Sequence, residues 1–384
     1  MRTTGVAVLT SVVLLVGGAA CSPAGDDAPW PPSTPAPSAT STTAPSATST
    51  PAPSATSAPA QPSAAPGSPT VGHVVAISVD GLNPRAITEL GPSGTPTFHR
   101  LMRDGACTLD ARTEREQTRT LPNHTGMLTS RRIEAGRGGH GVTYNTDSST
   151  RTVHESAGEY VSSVFDVVHD HGGSTALFAT KTKFALYRRT WNTNGGRDRV
   201  GADDGTEKID RFVVDTDDAR LVARLNTYLR DRPGELTFLH IALPDVVGHD
   251  EGFMSDRYLT GVRATDELVG TVIDTIAGQP DLQRDTVVLL TADHGGDGLS
   301  HSDQTKIANF QIPFFAWGPG VPAGSDLYAM NDTRRNPGTA RTTYEGPQPI
   351  RNGELGNLAT DVLGLPDIPG SQFDAAQDLV IFGT

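Results

Sequence analysis

Aspartate and histidine residues recur in this chain at spacings that suit metal ligation. Asp80 follows an apolar run, Asp245 and His249 are four residues apart, and Asp293 and His294 are adjacent. Carboxylate and imidazole groups bind Zn²⁺, and catalytic zinc sites keep one position open for substrate. Side chains four residues apart can reach one ion from a turn or helix start. Adjacent side chains at a strand end diverge, which favours two neighbouring ions with one ligand each unless the chain turns sharply.

The stretch Thr118-Arg-Thr-Leu-Pro-Asn-His124 contains a possible nucleophile. Pro122 suits the first turn of a helix, so we expect Thr120 at or beside the N-cap, where free backbone N–H groups favour anions such as phosphate. A plain helix cap is the commoner role for such a threonine. Two metal ions about 3.5–4 Å apart would clamp both oxygens of an in-line displacement and lower the pKa of a bound hydroxyl. Such ions would activate Thr120.

Alternating strands and helices are predicted to position these residues. Continuous apolar runs predict buried strands over His73–Val79, Ser174–Ala179, Leu236–Leu243, Thr286–Thr291 and Ile312–Trp317. Helices are predicted from Thr95 to Arg103 and over Thr216–Arg230, Phe253–Ala277 and Gly353–Leu363. This order predicts an α/β fold with a mostly parallel central sheet and helices on both faces. The candidate ligands follow strands, where such folds bind ligands, and His301 would arrive on a loop.

The first 69 residues carry signals of export. Residues 1–20 have the basic start and short apolar run of a signal peptide. Cys21 follows a relaxed lipobox and would be lipidated, although cleavage after Ala20 without lipidation is the alternative. The remainder of 21–69 is rich in Pro, Ala, Ser and Thr and predicts a disordered tether. We therefore expect a catalytic domain over 70–384 outside the cytoplasm, as a bacterial cell-surface lipoprotein held to the membrane through Cys21 or as a secreted protein.

The charge and cysteine content narrow the classes of function. The net charge is −13 and no basic tract is present, which argues against binding to a nucleic-acid scaffold. A phosphate substrate stays compatible with this charge, because bound metal ions reverse the local potential. Cys107 is the second of two cysteines, and we expect it to be a small core residue.

Six motifs in order resemble the nucleotide pyrophosphatase/phosphodiesterase branch of the alkaline phosphatase superfamily over roughly residues 73–384. They are Val79-Asp-Gly81 with Thr95-Pro-Thr-Phe98, Thr120-Leu-Pro-Asn-His124, His140-Gly-Val-Thr-Tyr-Asn145, Asp245-Val-Val-Gly-His249, Asp293-His-Gly295, and His301 before Trp317-Gly-Pro-Gly320. Leu121 stands where the family has phenylalanine. The segment between His294 and His301 is far shorter than in the animal members, whose nucleotide-clamping aromatics are not recognisable here.

The resemblance implies an alkaline phosphatase-like three-layer fold and a role for each motif residue. Asp80, Thr120, Asp293 and His294 would hold one zinc ion, with Thr120 as the attacking alkoxide. Asp245, His249 and His301 would hold a second zinc, which activates the hydrolytic water. Asn145 would donate to a phosphoryl oxygen as charge develops. The implied reaction is double displacement through a phosphothreonine, and the same ligand types also accept manganese or iron.

The implied substrate is a small phosphate diester or pyrophosphate, with two alternatives on the same metals. These are a phosphomonoesterase and a hydrolase of C–P bonds, because Lys181-Thr-Lys183 is similar to a Lys-x-Lys stretch of the phosphonoacetate hydrolase branch. Lys183 would then contact an anionic leaving portion; otherwise it is a solvated loop lysine. A binding protein on a retired hydrolase scaffold is a third hypothesis, which the intact ligand set argues against. His124 is expected to be structural.

Overall fold

Eight strands form one sheet in the computed structural model, which describes residues 70–196, 200 and 205–383. The predicted signal peptide, Cys21 and the predicted tether lie outside the described residues. Within the described part of the chain, no helix is both long and apolar enough to cross a membrane.

The sheet is mostly parallel, as predicted. Its strands are β1 His73–Val79, β2 Ala106–Arg112, β3 Thr175–Ala179, β4 Arg211–Val214, β5 Leu236–Ile241, β6 Thr286–Thr291, β7 Gln311–Trp317 and β8 Ser325–Asp326. Their order is β4-β3-β5-β1-β6-β7-β2-β8. The strands from β4 to β6 in this order run parallel, while β7 is antiparallel to both β6 and β2.

The three central strands of the sheet precede the candidate metal ligands in the chain. β1 lies between β5 and β6 and is parallel to both, with Val74 opposite Leu236 and Val287. The side chains of β5 and β6 are buried along their whole length. Such strands need apolar residues on both faces, which explains their continuous apolar runs.

Helices cover the sheet in two groups, which gives the three-layer architecture. The helices are α1 Pro84–Gly94, α2 Pro96–Asp104, α3 Thr120–Thr129, α4 Val153–Ala157, α5 Val164–Asp170, α6 Ala185–Arg188, α7 Asp218–Asp231, α8 Leu243–Glu251, α9 Asp256–Ala277, α10 Pro280–Asp285, α11 Ile307–Phe310, α12 Leu327–Met330 and α13 Leu355–Val362. α9 packs against α1, α2, α7, α8 and α10. α13 packs against α3 and α5 and lies on β1 and β6.

Most predicted boundaries differ from the structure by one to three residues, and two of the differences have a clear physical cause. The strand predicted to run to Leu243 ends at Ile241, because Leu243 and Pro244 begin α8, and proline suits the first turn of a helix. The helix predicted from Phe253 begins only at Asp256, where the Ser255 side chain caps it by accepting from the Tyr258 backbone N–H at 3.1 Å. Cys107 lies in β2 and is partly buried, and burial raises the pKa of its thiol to about 11.

Candidate active site

Three neighbouring strands deliver the candidate ligands to one edge of the sheet. Asp80 directly follows β1, and Asp293 and His294 follow β6. Asp245 and His249 lie one turn apart in α8, which begins just after β5. Because β5, β1 and β6 are adjacent and parallel, their carboxyl ends meet, as the sequence predicted.

Thr120 is the first residue of α3 and lies near Asp293, because His124 Nδ1 is 2.8 Å from the Thr120 carbonyl oxygen and 3.6 Å from Asp293 Oδ2. The helix begins after Arg119, whose backbone is extended (φ −133°, ψ 153°). All ten residues of α3 are buried. The Thr120 hydroxyl is itself buried and has no hydrogen-bond partner within the described residues. Burying a hydroxyl without a hydrogen-bond partner is costly, so a ligand that bound this hydroxyl would stabilise the site.

The ligand atoms gather into two groups that share His294. Atoms of Asp80, Asp293 and His294 lie within 4.8 Å of one another, and so do atoms of Asp245, His294 and His301. His249 adjoins the second group, with Nε2 3.4 Å from Asp245 Oδ1 and 3.0 Å from His301 Nε2. The structure thus brings all six predicted Asp and His ligands together, although the His249 side chain is 44 % exposed.

The expectation that adjacent Asp293 and His294 diverge is wrong. His294 Nε2 lies 3.1 Å from Asp293 Oδ2, because the chain turns directly after β6. The turn is fixed by the backbone N–H groups of Gly81 and His294, which both donate to Asp293 Oδ1, at 3.1 Å and 2.9 Å. Both residues can therefore serve one ion, which is the arrangement that the family resemblance implies.

Each of the three carboxylates has one oxygen held by the protein and one without a partner. Asp80 Oδ2 accepts from His240 Nε2 at 2.9 Å and from Lys181 Nζ at 2.6 Å, and Asp245 Oδ2 accepts from Lys181 Nζ at 2.5 Å. Asp80 Oδ1, Asp245 Oδ1 and Asp293 Oδ2 are buried and have no hydrogen-bond partner in the described structure. Buried carboxylate oxygens need a cation or a donor, so this donor set fits metal ions.

The three histidines are oriented by backbone carbonyls. Nδ1 of His294 lies 2.8 Å from the Gly295 oxygen, Nδ1 of His301 2.5 Å from the Thr118 oxygen, and Nδ1 of His249 3.0 Å from the Leu299 oxygen. A carbonyl only accepts, so Nδ1 carries the proton in each ring. This tautomer leaves the Nε2 lone pair free to bind a metal.

The electrostatics of the site keep the imidazoles of His294 and His301 neutral. Burial lowers the pKa of His294 and lowers that of His301 to about 2. Burial alone would raise the pKa of Asp80, but the Lys181 ammonium and the His240 hydrogen bond hold it well below its usual range. Burial and the charge of Asp80 raise the pKa of Asp293 well above its usual range. These buried negative groups therefore repel one another and favour a bound cation.

Asn145 and Lys183 lie beside the nucleophile. Asn145 Oδ1 accepts from the Leu121 backbone N–H at 3.0 Å, which leaves Nδ2 as the free donor of the amide. Lys183 Nζ lies 3.4 Å from the same Asn145 oxygen, and its pKa is lowered by burial and by Lys181. Lys183 is therefore partly buried beside Asn145. It also lines a pocket of about 470 Å³ with Lys181, Leu243 and Val246.

Sequence reasoning assigned no role to two residues of the site, Lys181 and His240. His240 is an ionisable residue inside the mostly apolar strand β5, and this departure from the pattern could have indicated a role in the site. Lys181 follows β3 at the same edge of the sheet as the ligands, and it lies closer to them than the neighbouring Lys183. His124 is buried, as expected of a structural residue, with Nδ1 2.8 Å from the backbone carbonyl oxygen of Thr120 and Nε2 2.8 Å from Ser78 Oγ.

Known structures share this fold at low sequence identity. Murine and human ectonucleotide pyrophosphatase / phosphodiesterase 5 align with TM-scores of 0.54 and 0.53 and identities of 15 % and 14 %. Both alignments cover 80 % of this chain and 99 % of the other chain. At this identity they show the fold alone, and they confirm the predicted alkaline phosphatase-like architecture.

Sequence comparisons identify the family. The GPI ethanolamine phosphate transferase 1 of Yarrowia lipolytica is 30 % identical over 122 residues, which are 30 % of this chain and only 13 % of that protein. The family model for type I phosphodiesterase / nucleotide pyrophosphatase matches residues 74–312, which is more than half of the chain and includes Asp80, Thr120 and Asp293. The chain therefore belongs to the type I phosphodiesterase / nucleotide pyrophosphatase family, the family and hydrolase class that its motifs predicted.

Proposed function

We propose that this protein hydrolyses phosphate diesters or pyrophosphates by double displacement, with Thr120 as the nucleophile. One observation carries the proposal. The Thr120 hydroxyl is buried without a hydrogen-bond partner in the described structure, as are Asp80 Oδ1, Asp245 Oδ1, Asp293 Oδ2 and His294 Nε2. Thr120 lies near this site, because His124 Nδ1 is 2.8 Å from the Thr120 carbonyl oxygen and 3.6 Å from Asp293 Oδ2. Phosphoryl transfer by an activated hydroxyl requires an alcohol nucleophile close to groups that can bind a metal ion.

The donor set fits two metal ions, which we propose to be zinc. Asp80, Thr120, Asp293 and His294 would hold one ion, and Asp245, His249 and His301 the other. When bound, such ions stabilise charge on phosphoryl oxygens and lower the pKa of a coordinated hydroxyl or water. Manganese or iron could replace zinc at oxygen and imidazole ligands.

The protein groups divide the reaction between them. Thr120 Oγ loses its proton and forms a bond to phosphorus while the bond from phosphorus to the leaving oxygen breaks. The leaving group departs as an alcohol, phenol or phosphate, and the phosphothreonine keeps the remaining ester group of a diester substrate. Water then attacks this phosphorus, and the bond to Thr120 Oγ breaks to restore the hydroxyl. Asn145 Nδ2 donates to a phosphoryl oxygen in both steps, and Leu121 holds the amide in the orientation that allows it.

The pocket beside the metal ligands is the proposed site of the leaving group. Its lining includes Lys181, Lys183, Leu243 and Val246, and one carboxylate, that of Asp218. We propose that Lys183 contacts an anionic portion of the substrate. The structure of the murine relative was determined in complex with AMP, which supports a nucleotide-like substrate, and the lysine also favours a phosphonate with a carboxylate as the second candidate.

A substrate panel on the purified protein tests the proposal. We expect zinc-dependent turnover of bis-p-nitrophenyl phosphate that exceeds turnover of p-nitrophenyl phosphate and phosphonoacetate and that stops with chelator. Thr120→Ala should abolish turnover and Thr120→Ser should keep part of it. Mass spectrometry of wild-type enzyme quenched during turnover of the diester should find a p-nitrophenyl phosphate group on Thr120. Zinc-dependent turnover that survives in Thr120→Ala would refute the nucleophile assignment. Absence of bound zinc and of hydrolysis would favour a retired scaffold.

We further propose that the catalytic domain acts outside the cytoplasm on a lipid anchor. The support is the sequence of residues 1–69, with Cys21 directly after the apolar run. Metabolic labelling with a fatty-acid analogue in a bacterial host should label the wild type and not Cys21→Ala. A secreted, unlabelled wild-type protein would show cleavage without lipidation.

A further inference from the structure

Lys181 lies between two carboxylates that belong to different halves of the proposed metal centre. Its Nζ donates to Asp80 Oδ2 at 2.6 Å and to Asp245 Oδ2 at 2.5 Å, and its side chain is 16 % exposed. The residue comes two positions after the end of β3, which delivers it to the same edge of the sheet as the ligands.

The oxygens that Lys181 contacts are not the ones left for metal ions. Asp80 Oδ1 and Asp245 Oδ1 are the oxygens without partners, and they lie 3.5 Å and 3.9 Å from His294 Nε2. His240 approaches Asp80 on the same Oδ2 as the lysine does. A lysine that merely replaced a missing metal ion would contact the Oδ1 atoms, where the imidazole also points. Lys181 instead occupies the outer side of both carboxylates.

We propose that Lys181 is a positioning residue that links the two sets of ligands. By holding the Oδ2 atoms of Asp80 and Asp245 with two of its three N–H donors, it aims their Oδ1 atoms at the two ions. Groups that hold the non-ligating atoms of metal ligands typically change metal affinity 10- to 100-fold when they are removed. This inference rests on the metal assignment of the proposed function.

The direction in which zinc affinity changes when Lys181 is replaced distinguishes positioning of the carboxylates from simple charge repulsion. An ammonium near bound divalent cations repels them, so its removal would tighten metal binding if charge alone mattered. Loss of positioning would weaken metal binding instead. Lys183 provides the matched control, because it carries the same charge and lines the same pocket, yet its hydrogen-bond acceptor is Asn145 Oδ1 and not a ligand carboxylate.

Zinc titration of the metal-stripped full chain tests the proposal. Calorimetry with a competing chelator would give the zinc affinity of the wild type, Lys181→Met and Lys183→Met. We expect Lys181→Met to bind zinc about 10- to 100-fold more weakly than the wild type, and Lys183→Met to bind it at least as tightly. Circular dichroism would verify that each variant is folded.

Three outcomes overturn the proposal, and they separate it from the proposed function. A wild type that binds no zinc refutes the metal centre and this inference with it. A wild type that binds zinc, together with a Lys181→Met variant that binds zinc equally or more tightly, refutes the role of Lys181 alone. A crystal structure of the zinc-loaded wild type decides the matter even if Lys181→Met fails to fold. We expect Nζ to stay within hydrogen-bond distance of both Oδ2 atoms, and a lysine displaced from them refutes the inference.

Discussion

Replacing Gly81 with alanine tests how closely the segments that bear the ligands approach one another. Gly81 has a φ of +71°, and a Cβ at this position would lie 2.9 Å from Asp245 Cα and 3.0 Å from Asp245 Cβ. The Gly81 N–H donates to Asp293 Oδ1, and its carbonyl accepts from the Tyr258 hydroxyl at 2.7 Å. The glycine is therefore the point where β1, α8 and the turn after β6 meet.

Two costs add in the Gly81→Ala variant. A left-handed backbone conformation costs an L residue roughly 1–2 kcal/mol. The new Cβ would also be closer to Asp245 than the ordinary contact distance of 3.4–4 Å. Overpacking of this kind costs about 1–3 kcal/mol. We therefore expect the free energy of unfolding to fall by about 2–5 kcal/mol. We also expect weaker zinc binding, because the backbone of Asp245 must move away from Asp80.

Gly158→Ala is the control for the backbone term. Gly158 has a φ of +79°, and a Cβ there would meet nothing within 4 Å. Its substitution should cost only about 1–2 kcal/mol and leave zinc affinity unchanged. Urea unfolding in chelator measures the stabilities, and calorimetry measures zinc binding. If Gly81→Ala loses no more stability than Gly158→Ala and binds zinc as the wild type does, the inferred close approach of residue 81 to Asp245 is wrong.

Three further predictions address catalysis, metal binding and a helix cap. Asn145→Ala should lower kcat about 100- to 1,000-fold, as loss of an oxyanion donor does, and a change confined to KM would contradict the role. Chelation should lower the Tm on the order of 10 °C, because free metal at about 1,000 times its Kd stabilises a protein by about 4 kcal/mol; an unchanged Tm in a thermal melt would argue against a structural contribution of metal. Ser255→Ala should remove about 1 kcal/mol from the stability measured in urea by uncapping α9 while zinc affinity stays the same; altered zinc affinity would mean that α9 positions the ligands.

The edge of the sheet that carries the site follows from elementary patterns in the sequence. β1, β5 and β6 are continuous apolar runs, and each is followed by aspartate within a few residues. Parallel strands place their carboxyl ends on one edge, so the convergence of Asp80, Asp245 and Asp293 could be predicted without knowledge of the strand order. The position of Thr120 beside a helix start could also be predicted, because Pro122 restricts where the first turn lies.

Contacts between side chains could not be predicted in the same way. Whether Lys181 or Lys183 contacts the ligand carboxylates depends on how β3 aligns with β5, and the sequence pattern does not specify this alignment. The shared direction of Asp293 and His294 depends on the Gly81 N–H, which comes from a strand more than two hundred residues earlier in the chain. Local reasoning about alternating side chains fails there because a long-range hydrogen bond fixes the turn.

The ligand side chains are held by contacts that do not involve metal, which predicts a site that is ordered before metal binds. Asp293 is fixed by two backbone N–H groups, and the imidazoles of His294 and His301 are fixed by backbone carbonyls. His249 is the most exposed of the ligands and takes its carbonyl contact from Leu299, itself 60 % exposed. Chelation should therefore accelerate hydrogen exchange most in residues 297–301. The amides of Gly81 and His294 should exchange only as fast as global unfolding allows, and local opening at those two amides in the metal-free protein would contradict the idea of a preformed site.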